Sequence, residues 1–239
     1  MVVTLITHTP EPEKVIASAA KLCYSSSDIE SLMNGLTTEK IEAFIKKLTA
    51  LGHESPLEHI TFTFAVEGVS RALLAQLTRH RMASYSVKSQ RYVEEANYEY
   101  ITPPEIAENP DAKALYDETM AQIGEAYEKL TDVLYQKHVQ TMDEKSARKK
   151  AIEDARFVLP NACETKLIMT FNARSLLNFF QHRCCNRAQW EIRQMADMML
   201  DICKEVAPNV FAKAGASCVR GKCKEGKMSC GKPKGAKNE

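Results

Sequence analysis

Ile60-Thr61-Phe62-Thr63-Phe64-Ala65-Val66-Glu67 alternates apolar residues with polar or small ones, the mark of a strand with one buried face. Gly68 is expected to end it. Ser70 is placed to cap a helix carrying Leu73, Leu74 and Leu77, whose last turn delivers Gln76, Arg79 and His80. This strand–helix unit leads directly into Arg79-His80-Arg81-Met82-Ala83-Ser84-Tyr85-Ser86-Val87-Lys88-Ser89-Gln90-Arg91-Tyr92. Those fourteen positions hold three arginines, a lysine, a histidine and three serines, and no acidic residue. Buried in a core helix or strand they would leave unpaired charge, so the segment must face water or an anion. Arginine presents a planar fork of donors that fits phosphate or carboxylate, and serine hydroxyls and backbone N–H groups complete such a cradle. A solvated basic loop is the competing reading. The regular spacing of Arg79, Arg81, Ser89 and Arg91 favours a phosphate site.

Composition bounds the rest. A chain of 239 residues at 44% hydrophobic and 26% charged reads as soluble and globular, with a full core. The formal net charge of +1 provides no global field for nucleic acid, so anion binding must be local. No apolar run has the length of a membrane span, and Met1–Ile6 lacks the basic start of a signal peptide, so a cytoplasmic location is expected. The eight cysteines in a reducing compartment suggest free thiols or metal ligands rather than disulfides.

Outward from the strand, Val2–Thr7 reads as a β-branched strand closed by Pro10 and Pro12, followed by a helix whose stripe is Val15, Ala19, Leu22 and Ile16, Ala20, Cys23. Ser25–Asp28 reads as a loop. A second helix follows Thr38, with Gly52 just past its end. Asn109-Pro110 opens a long amphipathic helix marked by Leu115, Ile123, Tyr127, Leu130, Val133 and Leu134, running to about Lys137. A further helix is expected from about Asp143 to Val158, stopped by Pro160. Leu167, Met169 and Phe171 alternate as a second credible strand. One long helical pattern then runs to Val206, and from about Gly215 the chain reads as a tail without helix or strand. Strand–helix units far apart in sequence predict an α/β or α+β fold, with a catalytic domain over residues 1–214 and a Cys/Gly/Lys-rich tail over 215–239.

The spacing Arg79-His80-Arg81, seven residues, then Ser89-Gln90-Arg91 resembles the signature of the flavin-dependent thymidylate synthases. His53-Glu54-Ser55-Pro56-Leu57-Glu58-His59 resembles a second segment of that family, and Ala155-Arg156-Phe157-Val158-Leu159-Pro160, Asn172-Ala173-Arg174-Ser175, Asn178 and Arg183 resemble its C-terminal block. The likeness runs from about residue 15 to about residue 206. It implies a central, mostly antiparallel sheet flanked by helices, with a long C-terminal helix. It also implies conversion of dUMP to dTMP, with methylenetetrahydrofolate giving the carbon and FAD, reduced by NADPH, giving the hydride. Carried over by residue, Gln76, Arg79, Ser89, Gln90, Arg91, Arg156 and Arg183 hold dUMP; Ser55, Arg79, His80, Arg81, Asn172, Arg174 and Asn178 hold FAD. Arg183 activates the uracil ring, and the family is a homotetramer with active sites shared between subunits. Three departures stand out: Ser86-Val87 replaces an Asn-Glu pair of many members, Arg187 stands in place of a His near the flavin, and Cys23 stands where some have Ser.

Residue chemistry points the same way. Six arginines within the motifs suit a phosphate and a diphosphate. Because arginine stays protonated, Arg183 would act electrostatically on the ring. Ser89 lacks a visible His–carboxylate relay and is expected to donate to the substrate phosphate, not to attack. On an ideal helix Asn172 and Arg183 share a face while Arg174 lies on nearly the opposite one; the helix starts later or bends, or its two faces line two sites. No Gly-x-Gly-x-x-Gly follows a strand, so no Rossmann site is indicated. The His53–His59 segment suits no common metal motif, since Pro56 breaks a helix, and no metal is expected there. Cys218, Cys223 and Cys230 remain open between free thiols, zinc and disulfides, and the tail is expected to be dispensable for FAD and dUMP binding. The alternative function is nucleic-acid binding through Arg79–Arg91, against which the near-neutral charge weighs.

Overall fold

The structure, a computed structural model, describes residues 1–95 and 98–234. In chain order its elements are β1 (Val2–His8), α1 (Pro12–Leu22), α2 (Ile29–Asn34), α3 (Thr38–Leu51), β2 (Thr61–Ser70), α4 (Arg71–Leu77), β3 (Ala83–Val87), α5 (Pro104–Ala107), α6 (Pro110–His138), α7 (Glu144–Ala155), β4 (Glu164–Asn172), α8 (Ala173–Arg183), α9 (Trp190–Val206) and α10 (Pro208–Phe211). The four strands form an antiparallel sheet in the order β1-β2-β4-β3, so the mixed fold with its antiparallel sheet is as the sequence led us to expect. Two compact units divide the chain: Met1–Val66, Gln76–Tyr85 and Ile168–Glu239 make the first, Glu67–Ala75 and Ser86–Leu167 the second.

In the first unit the alternation at Ile60, Phe62, Phe64 and Val66 buries all four side chains almost completely. Met169 and Phe171 of β4 do the same, and Thr63 and Thr170 hydroxyls meet at 2.9 Å across the ladder. Phe62, Phe180 and Phe211 form a chain of edge-on ring contacts, the geometry aromatic pairs prefer. Helix α3 ends as the sequence predicts, with Gly52 in the left-handed conformation at φ 70°, which glycine adopts without a Cβ penalty; it starts one residue earlier than expected, at Thr38, with Thr37 accepting from Lys40 N as its cap. Helix α2 was not anticipated. At six residues it is too short to show a period, although Asp28 caps it through Ser31 N.

Three further expectations are corrected. Strand β2 continues through Gly68, whose N–H is taken by the Glu164 carboxylate at 3.0 Å in the second unit. Residues 83–87, inside the basic stretch, form β3 at the sheet edge with no side chain fully buried, a position that tolerates polar residues. The single long C-terminal helix is two helices, because the chain leaves helical geometry after Arg183 and Gln189 starts α9 by accepting from Glu191 N and Ile192 N.

In the second unit α6 packs on α7, and Met120, Tyr127 and Thr131 are its buried residues. Asn109 caps α6 by accepting from Asp111 N and Ala112 N, as its sequence predicts. Leu115, Leu130 and Val133, expected on the apolar face, are exposed. Helix α7 ends at Ala155, and Arg156–Val158 form a 3-10 turn. Ser70 Oγ accepts from Leu73 N at 3.0 Å, the expected cap of α4. No helix among the described residues is long and apolar enough to cross a membrane.

Candidate functional site

Asn172 sets the geometry of one wall. Its side chain accepts from Ser175 N at 2.8 Å and caps α8, while Ala173 N donates to Ile60 O at 3.0 Å. The helix therefore starts against residue 60 and projects Arg174, Asn178 and Gln181 from one face, since residues four and then three apart share a face. Arg174 reaches the 3-10 turn Ser55–His59, pairing with Glu58 at 2.5 Å and Glu54 at 3.5 Å.

The facing wall is Arg79-His80-Arg81. Its backbone is pinned by Tyr85, whose hydroxyl donates to the carbonyls of Leu77 at 3.1 Å and His80 at 2.8 Å. The Tyr85 ring stands edge-on to Phe171, and burial pushes its phenol up to about 12, so it stays a neutral donor. Between the walls is a cavity of about 610 Å³ lined by four arginines, Arg79, Arg81, Arg174 and Arg220, against two glutamates, Glu54 and Glu58. Both glutamates are engaged by Arg174. Arg79, Arg81 and Arg220 have no ion pair among the described residues, which leaves the cavity electropositive and suited to an anion.

A neighbouring cavity of about 530 Å³ shares Arg79, His80, Asn178 and Gln181 with the first and adds Arg183 and Arg187. Arg174 and Arg183 thus line different cavities from opposite faces of α8, which answers the geometric tension in the sequence. Arg183 Nε donates to His80 Nε2 at 3.3 Å, so the neutral ring carries its proton on Nδ1. The imidazole also packs edge-on to Phe179 at 5.0 Å. Burial, then the charge of Arg183, then that of His182 push His80 down to about 4. Burial, then the Arg79 charge, lower the Arg183 pKa as well. Arg187 donates to Met228 O at 2.7 Å.

The expected substrate residues are placed in two groups. Gln76, Arg79 and Arg183 belong to the first unit; Ser89, Gln90, Arg91 and Arg156 belong to the second. In the second unit Arg91 pairs with Glu153 at 2.9 Å, and Arg156 Nε donates to the Glu153 carbonyl at 3.0 Å. Ser89 Oγ accepts from Arg91 N at 3.2 Å, and no base among the described residues is bonded to it. Gln90 is buried and donates to Cys163 Sγ at 3.3 Å.

Of the expected flavin residues, Arg79, His80, Arg81, Asn172, Arg174 and Asn178 line the first cavity together. Ser55 is exposed at the start of the turn that carries Glu58 and is not in the lining. Sequence reasoning missed Gln181, Glu54, Glu58 and Arg220 as lining residues. Gln181 was recoverable, because it continues the Arg174–Asn178 helical face; the two glutamates lie in the His53–His59 segment, from which only Ser55 was assigned a ligand role; Arg220 carried no signal.

Comparisons with known proteins follow the same residues. The family model for thymidylate synthase complementing protein, Thy1, matches residues 4–209. A flavin-dependent thymidylate synthase of Clostridium tetani is 56% identical over 231 residues, covering 96% of this chain and 93% of that protein. One from Nitratidesulfovibrio vulgaris is 46% identical, covering 96% and 94%. One from Sulfolobus acidocaldarius is 38% identical, covering 92% and 78%.

Proposed function

Because the chain belongs to the thymidylate synthase complementing protein family, Thy1, we propose that it methylates dUMP to dTMP, with methylenetetrahydrofolate as carbon donor and NADPH as reductant of a bound FAD. The observation that carries this reading is the convergence of Arg79, His80, Arg81, Asn172, Arg174 and Asn178 on one cavity. The donor set fits the cofactor: guanidinium groups with no carboxylate partner suit a diphosphate. When bound, FAD supplies the hydride that completes the methyl group.

The chain's own residues bind and polarise. Arg183 stays protonated and stabilises the electron-rich, deprotonated uracil ring. His80 occupies its Nε, which leaves the two terminal nitrogens for substrate in a fixed orientation. Ser89, whose oxygen already accepts from Arg91 N, keeps its O–H for the substrate phosphate, and Arg91 and Arg156 add charge there. A cytoplasmic homotetramer with shared active sites completes the reading, and the exposed Leu115, Leu130 and Val133 of α6 provide apolar surface for assembly.

Nucleic-acid binding gains no support, since Arg79 and Arg81 line a cavity. The test is direct: the purified protein should be yellow and release flavin absorbance on denaturation. A colourless protein that binds no added FAD contradicts the reading.

A further inference from the structure

The family model matches residues 4–209, yet the first cavity is completed by a residue beyond them. After α10 the chain buries Ala214, Gly215 and Ala216. Gly215 adopts φ 129°, and a Cβ there would approach Val219 Cγ2 at 3.3 Å and Leu200 Cδ2 at 3.6 Å. Only glycine turns the chain at this point without strain. The 3-10 turn Ser217–Val219 follows, and Arg220 N donates to Ser217 O to close it. Arg220 Nε then donates to Lys213 O at 2.8 Å. Backbone turn and side chain are therefore both fixed, and Arg220 enters the lining beside Arg79, Arg81 and Arg174.

Its two terminal nitrogens have no partner among the described residues. Arg174 is already compensated by Glu54 and Glu58. The uncompensated charge in the cavity is thus that of Arg79, Arg81 and Arg220, and a guanidinium held by its Nε presents its remaining donors in one plane, the arrangement that grips phosphate oxygens. We propose that Arg220 is a cofactor-binding residue whose terminal nitrogens donate to the diphosphate of the flavin dinucleotide. The assignment rests on the reading that this cavity holds FAD. It reverses the expectation that everything after residue 214 is dispensable for the cofactor.

The test uses the full chain freed of flavin and compares its affinity for FAD and for riboflavin, which has no phosphate, by flavin fluorescence. In Arg220→Gln the preference for FAD over riboflavin should fall about tenfold, as expected for a lost charge-assisted contact. Arg220→Lys, which keeps a point charge, should fall less. An unchanged preference in Arg220→Gln, or an equal loss of both ligands, would overturn the assignment, the second by revealing a merely structural role. A parent protein that binds no FAD would instead defeat the underlying reading, and this one with it.

Discussion

Arg183 and His80 meet through a single hydrogen bond, Arg183 Nε to His80 Nε2 at 3.3 Å. A neutral imidazole therefore orients the cation assigned to the uracil ring. Protonating His80 would place two cations against each other and remove the acceptor, so the orientation depends on the ring staying neutral. Its depressed pKa of about 4 secures this across the physiological range.

His80 has a folded pKa of about 4 against an ordinary value of 6.5, so the unfolded chain binds its proton first as pH falls. The stability linked to this histidine is fully present above about pH 6.5 and is lost as pH falls towards 4. Imidazole resonances followed by NMR should show His80 titrating near 4. Arg183→Gln should move that midpoint part of the way towards 6.5, because burial, the larger cause, remains. A parent midpoint near 6.5 would remove the neutral-acceptor account.

Arg183→Lys keeps a positive charge but loses the planar fork and the Nε–H that His80 accepts. Formation of dTMP should fall by orders of magnitude while FAD stays bound, measured by turnover and by flavin absorbance on the same sample. Near-normal turnover would exclude ring activation by Arg183.

Ser89→Ala tests binding against chemistry. The KM for dUMP should rise by about tenfold, the scale of one hydrogen bond to a charged group, with turnover still measurable. Complete loss of turnover with unchanged dUMP affinity would instead make Ser89 a nucleophile.

Phe179 is fully buried and lies between Phe171, at 5.6 Å, and His80, at 5.0 Å. Truncating it to alanine should cost about 3–5 kcal/mol of unfolding free energy in urea. A change below about 1 kcal/mol, the scale of ordinary surface substitutions, would show that the ring does not anchor the floor under His80.

Local rules made much of this legible in the sequence. Period-two alternation gave Phe62, Phe64, Met169 and Phe171 their buried positions, and cap chemistry placed Gly52, Ser70 and Asn109. The break after Arg183 was hidden, because Cys184-Cys185-Asn186-Arg187 contains neither Gly nor Pro and the apolar pattern continues into Trp190 and Ile192. Gln189 is also not one of the residue types usually expected to cap a helix. Arg220 was invisible for a different reason. Its placement depends on the burial of Ala214 and Ala216, small residues that carry no hydrophobic signal, and on the φ of Gly215, which only the folded chain reveals.

The most direct test of the central claim is product formation. Purified protein incubated anaerobically with dUMP, methylenetetrahydrofolate, NADPH and FAD should yield dTMP by mass spectrometry. Stripping the bound flavin and leaving FAD out, or leaving out the folate, should abolish it. A flavin-loaded protein that forms no dTMP from the complete mixture, or one that forms it equally well with no flavin present, would contradict the account.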